Sequence, residues 1–196
     1  SKVLEKLIVG RGSTVEVVWN RGGKHLTTII TKSPSQAAAF SVAGDTIRLP
    51  FTAGSPESLK KALEGKSSVV LDLRHNANGD YNAMRECLAL VAPTGKYGTL
   101  TTDKKEKPAL LVVEKGASKP ISMTLLVDDT TSGAAEIFAL ALSSKNKATL
   151  SGTTMGGDRS VRQVVQLPDG TGYTLVTAIY KPQVEQSTIL ARGETR

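Results

Sequence analysis

Residues 67–74 read SSVVLDLR. Val69, Val70, Leu71 and Leu73 make the run almost continuously apolar, which is how a strand covered on both faces reads. Such strands belong to layered α/β sheets with helices packed on them. The neighbouring sequence fits. HNANGD (75–80) is rich in turn residues. YNAMRECLALVA (81–92) spaces Ala83, Met84, Cys87, Leu88 and Leu90 as one face of a helix. PALLVVEKG (108–116) and ISMTLLVD (121–128) predict strands, residues 133–142 a buried helix, and ATLSG (148–152) a further short strand. RQVVQLPDGTGYTLVTAIY (162–180) predicts a hairpin turning at Pro168-Asp169-Gly170.

Upstream, TIRLPFT (46–52) predicts a short strand. Ser55-Pro56-Glu57 predicts a helix start, with Ser55 as cap, Pro56 in the first turn and Glu57 near the positive helix end. The first 33 residues read differently. VLEKLIV (3–9) has helical spacing, and TVEVVWN (14–20) and KHLTTIIT (24–31) flank Arg21-Gly22-Gly23 as a hairpin. Ser33-Pro34-Ser35 reads as a linker. The expected organisation is a helix-plus-hairpin unit over 1–33 and an α/β core over 34–196, with a polar, marginally ordered tail from Lys181.

Bulk composition excludes several function classes. The net charge is +7, but the basic residues are scattered, and the densest cluster, Asp103 to Lys107, carries its own acids. A nucleic-acid face gathers its cations into a stripe, so no nucleic-acid partner is expected. The single cysteine, Cys87, permits no internal disulfide, and His25 and His75 lack ligand spacing, so no metal or other cofactor is expected. No apolar run approaches the ~18 residues of a membrane span.

Four segments, in order, resemble the C-terminal processing (tail-specific) serine peptidases. VVLDLRHNANGD resembles their strand and oxyanion loop, usually Asp-Leu-Arg-Asn-Asn-Pro-Gly-Gly. TSGAAEIFALAL resembles the nucleophile helix, usually Ser-Ala-Ser-Ala-Ser-Glu-Ile. SGTTMGGDRSVR sits where the family has Gly-x-x-Thr-Phe-Gly-Lys-Gly-x-Val-Gln, and QLPDGTGYTLVTAIYKP resembles the hairpin that follows. Residues 1–32 resemble the second half of a PDZ domain. The resemblance implies a ClpP/crotonase-like α/β core, Ser–Lys dyad chemistry, peptide or protein substrates, export to a periplasm, lumen or cell exterior, and a possible oligomer. In that chemistry a serine at a helix N-terminus is deprotonated by a desolvated lysine, and backbone N–H groups hold the oxyanion.

Carried over residue by residue, the chemistry is missing. Anchored on Glu136 and on Leu167-Pro168-Asp169-Gly170, the nucleophile position falls on Gly133, the lysine on Asp158, its assisting glutamine on Arg162, and an acidic position on Ser144. A one-residue gap would put Gly157 in the lysine position, which is still no base. The oxyanion positions fall on Asn78, Gly79 and Ala134. Asp80 and Asp158 add negative charge where an oxyanion would need stabilising. They would also favour Lys or Arg on a bound peptide.

Three readings follow. The first is a catalytically dead member of the family, retained for binding or assembly. The second is an active enzyme with a displaced nucleophile, Ser132, served by His75 and oriented by Asp80 or Asp158. Against it, Ser132 or Thr131 is expected as a helix cap, and one step along a helix start re-aims a side chain by roughly 100°. Lys145 and Lys147 follow the helix, roughly 15 Å from Ser132 at about 1.5 Å per residue. The third is a pure interaction module built on the PDZ-like segment, which lacks the first half of such a domain.

Overall fold

A computed structural model describes residues 14–31, 39–77, 79–102, 107–167 and 172–183. The predicted helix over 3–9, the linker at 33–35, Asn78, the turn residues 168–170 and the tail beyond 183 lie outside them. The chain divides into two compact units, residues 1–36 with 164–174, and residues 37–163 with 175–196.

The smaller unit holds a hairpin of β1 (Thr14–Arg21) and β2 (Lys24–Thr31), paired antiparallel from Thr14↔Thr31 to Arg21↔Lys24. Gly22 and Gly23 both take positive φ, +60° and +79°. That is the two-residue turn whose twist matches the flanking strands.

The larger unit is built on a five-stranded sheet. Its strands are β3 (Ser41–Ala43), β4 (Thr46–Arg48), β5 (Ser68–Asp72), β8 (Ser122–Val127) and β9 (Thr149–Gly152), in the order β3-β4-β5-β8-β9. β4, β5, β8 and β9 run parallel, and β3 is an antiparallel edge. The continuous apolar reading of β5 is explained by this central place, with Leu71 and Leu125 side by side and fully buried. Truncating either to alanine is worth about 2–5 kcal/mol.

A second sheet has the order β10-β11-β6-β7, formed by β10 (Ser160–Gln166), β11 (Gly172–Lys181), β6 (Gly95–Thr101) and β7 (Ala109–Val113). β6 was not foreseen, nor was β3. GKYGTLT carries two glycines and no alternation, and its ladder with β7 shifts register between Lys96 and Gly98. The Tyr180 ring covers Gly98 where a side chain would stand, and its hydroxyl donates to the Tyr97 carbonyl at 2.6 Å.

The helices among the described residues are α1 (Ser55–Ala62), α2 (Tyr81–Val91) and α3 (Ala134–Ser143). The cap of α1 lies one residue earlier than expected: Gly54 caps it, and Ser55 is its first residue, its hydroxyl accepting from Thr52 N–H at 3.0 Å. α2 turns Ala83, Met84, Cys87, Leu88 and Val91 inward, so Cys87 is a core residue; burial pushes its thiol up to about 12. All ten residues of α3 are buried, as a helix apolar on every face requires. α3 packs against α2, β6 and β9. No described helix is long and apolar enough to cross a membrane.

Candidate functional site

β5 and β8 end together, with Asp72 beside Leu126. Their C-terminal loops, 73–80 and 128–133, are tied by Ser132 N–H donating to the Asn76 carbonyl at 3.1 Å. Asn76 is buried, and its side-chain amide donates to the Leu49 carbonyl at 2.9 Å. This pairing delivers the start of α3 to the carboxyl edge of the parallel strands, where α/β sheets hold their ligands.

Gly133 caps α3 with φ +59° and ψ −129°, a backbone that side-chain-bearing residues rarely adopt. Its N–H donates to the Asp158 carbonyl at 2.7 Å. A Cβ placed on Gly133 would meet only the Ala77 carbonyl oxygen, at 3.6 Å, so there is space for a side chain. The expected cap residues do not cap. Ser132 is half-buried, and the Thr131 hydroxyl lies 3.1 Å from the Leu73 carbonyl and 3.0 Å from Asp128 N–H.

Asp158 spends its side chain locally. One oxygen accepts from Ser160 N–H at 3.0 Å and the other from Arg162 Nη2 at 2.6 Å, while Arg162 Nε donates to the Ser160 hydroxyl at 3.0 Å. Asp158 and Arg162 therefore form an ion pair. Asp80 is likewise occupied: its side chain caps α2 by accepting Ala83 N–H at 2.7 Å. Neither acid orients His75, and Asp158 is neutralised by its partner, which corrects the expectation of free negative charge there.

Glu136, in the first turn of α3, is completely buried. It accepts from Gly157 N–H at 2.8 Å and from Arg159 Nε at 3.3 Å, fastening the 156–159 segment to the helix. Burial pushes its carboxyl above the ordinary value, against the opposing pull of Arg159 and Gly157. Gly79 sits tightly against Phe51 and Ala134, and Ala134 opens α3, where first-turn N–H groups have no acceptor within the helix. The Ser144 hydroxyl bonds back to the Ala141 carbonyl at 3.2 Å.

His75 does not meet Ser132 by any hydrogen bond among the described residues. It takes φ +60°, and its N–H lies 3.2 Å from both oxygens of Asp128. Its Nδ1 lies 3.0 Å from Asp128 Oδ2 and 3.2 Å from Thr130 Oγ1. Asp128 also accepts Thr130 N–H at 3.1 Å and the Thr130 hydroxyl at 2.7 Å. Burial raises the Asp128 carboxyl, but these bonds outweigh it and hold the group below its ordinary value. Asp128 was read only as a strand end; its one signal was a lone acid closing an apolar run before two threonines. No group of three or more metal-ligating residues occurs among the described residues.

Residues 47–193 match Peptidase family S41. The chain belongs to that family. A carboxyl-terminal-processing protease of Synechocystis sp. is 26% identical over 136 residues, covering 67% of this chain and 32% of that protein. Among solved structures, a photosystem II D1 C-terminal processing protease aligns with TM-score 0.60 at 22% identity, covering 87% of this chain and 51% of that one. A lipoprotein from Streptococcus agalactiae aligns with TM-score 0.61 at 19% identity, covering 74% and 59%. This S41 chain thus spans about a third of the curated relative and half or somewhat more of the solved ones. The mixed α/β architecture is the one the S41 resemblance implied.

Proposed function

We propose that this S41 member is catalytically inactive and is retained to bind extended peptide or protein segments or to support assembly. One observation carries the reading. Gly133 and Asp158, the residues aligned with nucleophile and base, are joined by a 2.7 Å backbone hydrogen bond, so the two positions are neighbours. One has no side chain, and the other presents a carboxylate already paired with Arg162. Gly133 has nothing with which to attack, and the Asp158 carboxylate is held by Ser160 and Arg162 where the family's chemistry uses a neutral amine as base. The scaffold around them is intact, and a cleft that grips an extended peptide through main-chain bonds needs no catalytic side chain.

The same reading assigns residues 1–33 to the second half of a PDZ-like domain, and Asn78, Gly79 and Ala134 to the former oxyanion positions. Export to a periplasm, lumen or cell exterior is proposed from the photosystem II D1 processing protease and the lipoprotein among its structural relatives. Because Asp158 is spent on Arg162, it gives the cleft no free acid with which to select Lys or Arg.

A fluorophosphonate probe followed by intact-mass measurement tests the loss of chemistry. The expected result is an unchanged mass. A stoichiometric adduct mapped to Ser132 would instead establish the displaced-nucleophile reading.

A further inference from the structure

Arg48 closes β4 beside Asp72 in the parallel register, so both stand at the carboxyl edge of the sheet. Asp72 is nearly buried, and Arg74 takes both its oxygens, through Nε and Nη2 at 2.9 Å each. Arg48 has no ion pair among the described residues. Its Nη2 reaches the Arg74 carbonyl at a long 3.4 Å, and its Nε is buried without an acceptor. A buried donor left unpaired is costly and uncommon, the more so on a charged group. Because Nε is closed to solvent, a carboxylate meets Arg48 on the Nη side of its planar fork. The nearby carboxylates are otherwise engaged: Asp72 by Arg74, and Asp128 by His75, Thr130 and Thr131. His75 follows Arg74 directly, and its ring is 70% exposed with Nδ1 turned to Asp128.

We infer that Arg48 anchors a carboxylate subsite at the carboxyl ends of β4 and β5, with Arg74 and His75 at its rim. The ligand is an acidic side chain or a free chain terminus of a bound peptide, so the inference rests on the peptide-binding reading above. Asp72 and Asp128 offset part of the local positive field, and affinity for an isolated carboxylate is on the order of millimolar.

The test follows the Arg48 Nε–Hε signal by ¹⁵N NMR while sodium acetate is titrated against sodium chloride at matched ionic strength. A saturable shift with acetate alone is expected. A shift that merely tracks salt would overturn the subsite. Three peptides of one sequence then separate the sources: free terminus with Asn, amidated terminus with Asp, and amidated terminus with Asn. The wild type is expected to favour one carboxylate-bearing peptide by roughly tenfold. Arg48→Met should remove the preference, and Arg48→Lys should keep part of it. A preference that survives Arg48→Met, with the fold intact by the same spectra, would sink the assignment. If acetate moves Arg48 but no peptide binds, the subsite stands and the peptide-binding reading falls.

Discussion

The N–H of Gly133 donates to the carbonyl of Asp158 across 2.7 Å. The bond joins the start of α3 to the segment before β10, and Glu136, one turn further along α3, makes a second fastening to Gly157 and Arg159, which flank Asp158. Position 133 is thus held firmly in a glycine-type backbone while carrying nothing that reacts.

Gly133→Cys tests whether the backbone still presents a reactive position. There is room for the side chain, but φ +59° with ψ −129° is a sparsely populated backbone for an L-residue and costs about 1–3 kcal/mol, which denaturant unfolding will read. The new thiol lies at a helix N-terminus, which favours the thiolate. Iodoacetamide is expected to label position 133 in the native protein and leave buried Cys87 untouched until the protein is unfolded.

Gly79→Ala should destabilise the loop that faces α3. Its Cβ would come within 2.8 Å of Phe51 Cβ and 3.2 Å of Ala134 Cβ, an overpacking worth about 1–3 kcal/mol. Gly54→Ala is the control: nothing lies within 4 Å and φ is −86°, so the change should stay within about 0.5 kcal/mol.

The Asp158–Arg162 pair is half-exposed, at 37% and 45%. A double-mutant cycle with Asp158→Asn and Arg162→Met should give a coupling below about 1 kcal/mol, shrinking further in high salt.

Two buried carboxyls make opposite contributions to the pH dependence of stability. The hydrogen bond from Arg74 holds Asp72 below its ordinary value, so its contribution is present above that value and is lost as pH falls through the lowered one. Burial raises Glu136. Between its ordinary and raised values the folded state binds more protons than the unfolded state, so stability declines as pH rises through that window. Urea unfolding from about pH 3 to 8 should show Asp72→Asn flattening the acid-side loss and Glu136→Gln flattening the decline above the ordinary glutamate value.

Much of the larger unit was legible because burial leaves a compositional trace. The run VVLDL announced the central strand, and FALAL the helix buried on every face. β6 left no such trace, since its place depends on Tyr180 packing over Gly98 from a strand about eighty residues away. The site was legible as positions but not as contacts. Asp80 capping α2 and Asp158 pairing with Arg162 are local contacts, and the cap rule alone points to the first. That Asp128 rather than either of them holds His75 is set by the fold across a long separation, which a single sequence does not record.

The most direct test of lost catalysis is time-resolved mass spectrometry of an unstructured protein substrate incubated with the wild type and with Ser132→Ala. The substrate is expected to remain intact with both. Fragments that accumulate with the wild type and disappear in Ser132→Ala would contradict the account.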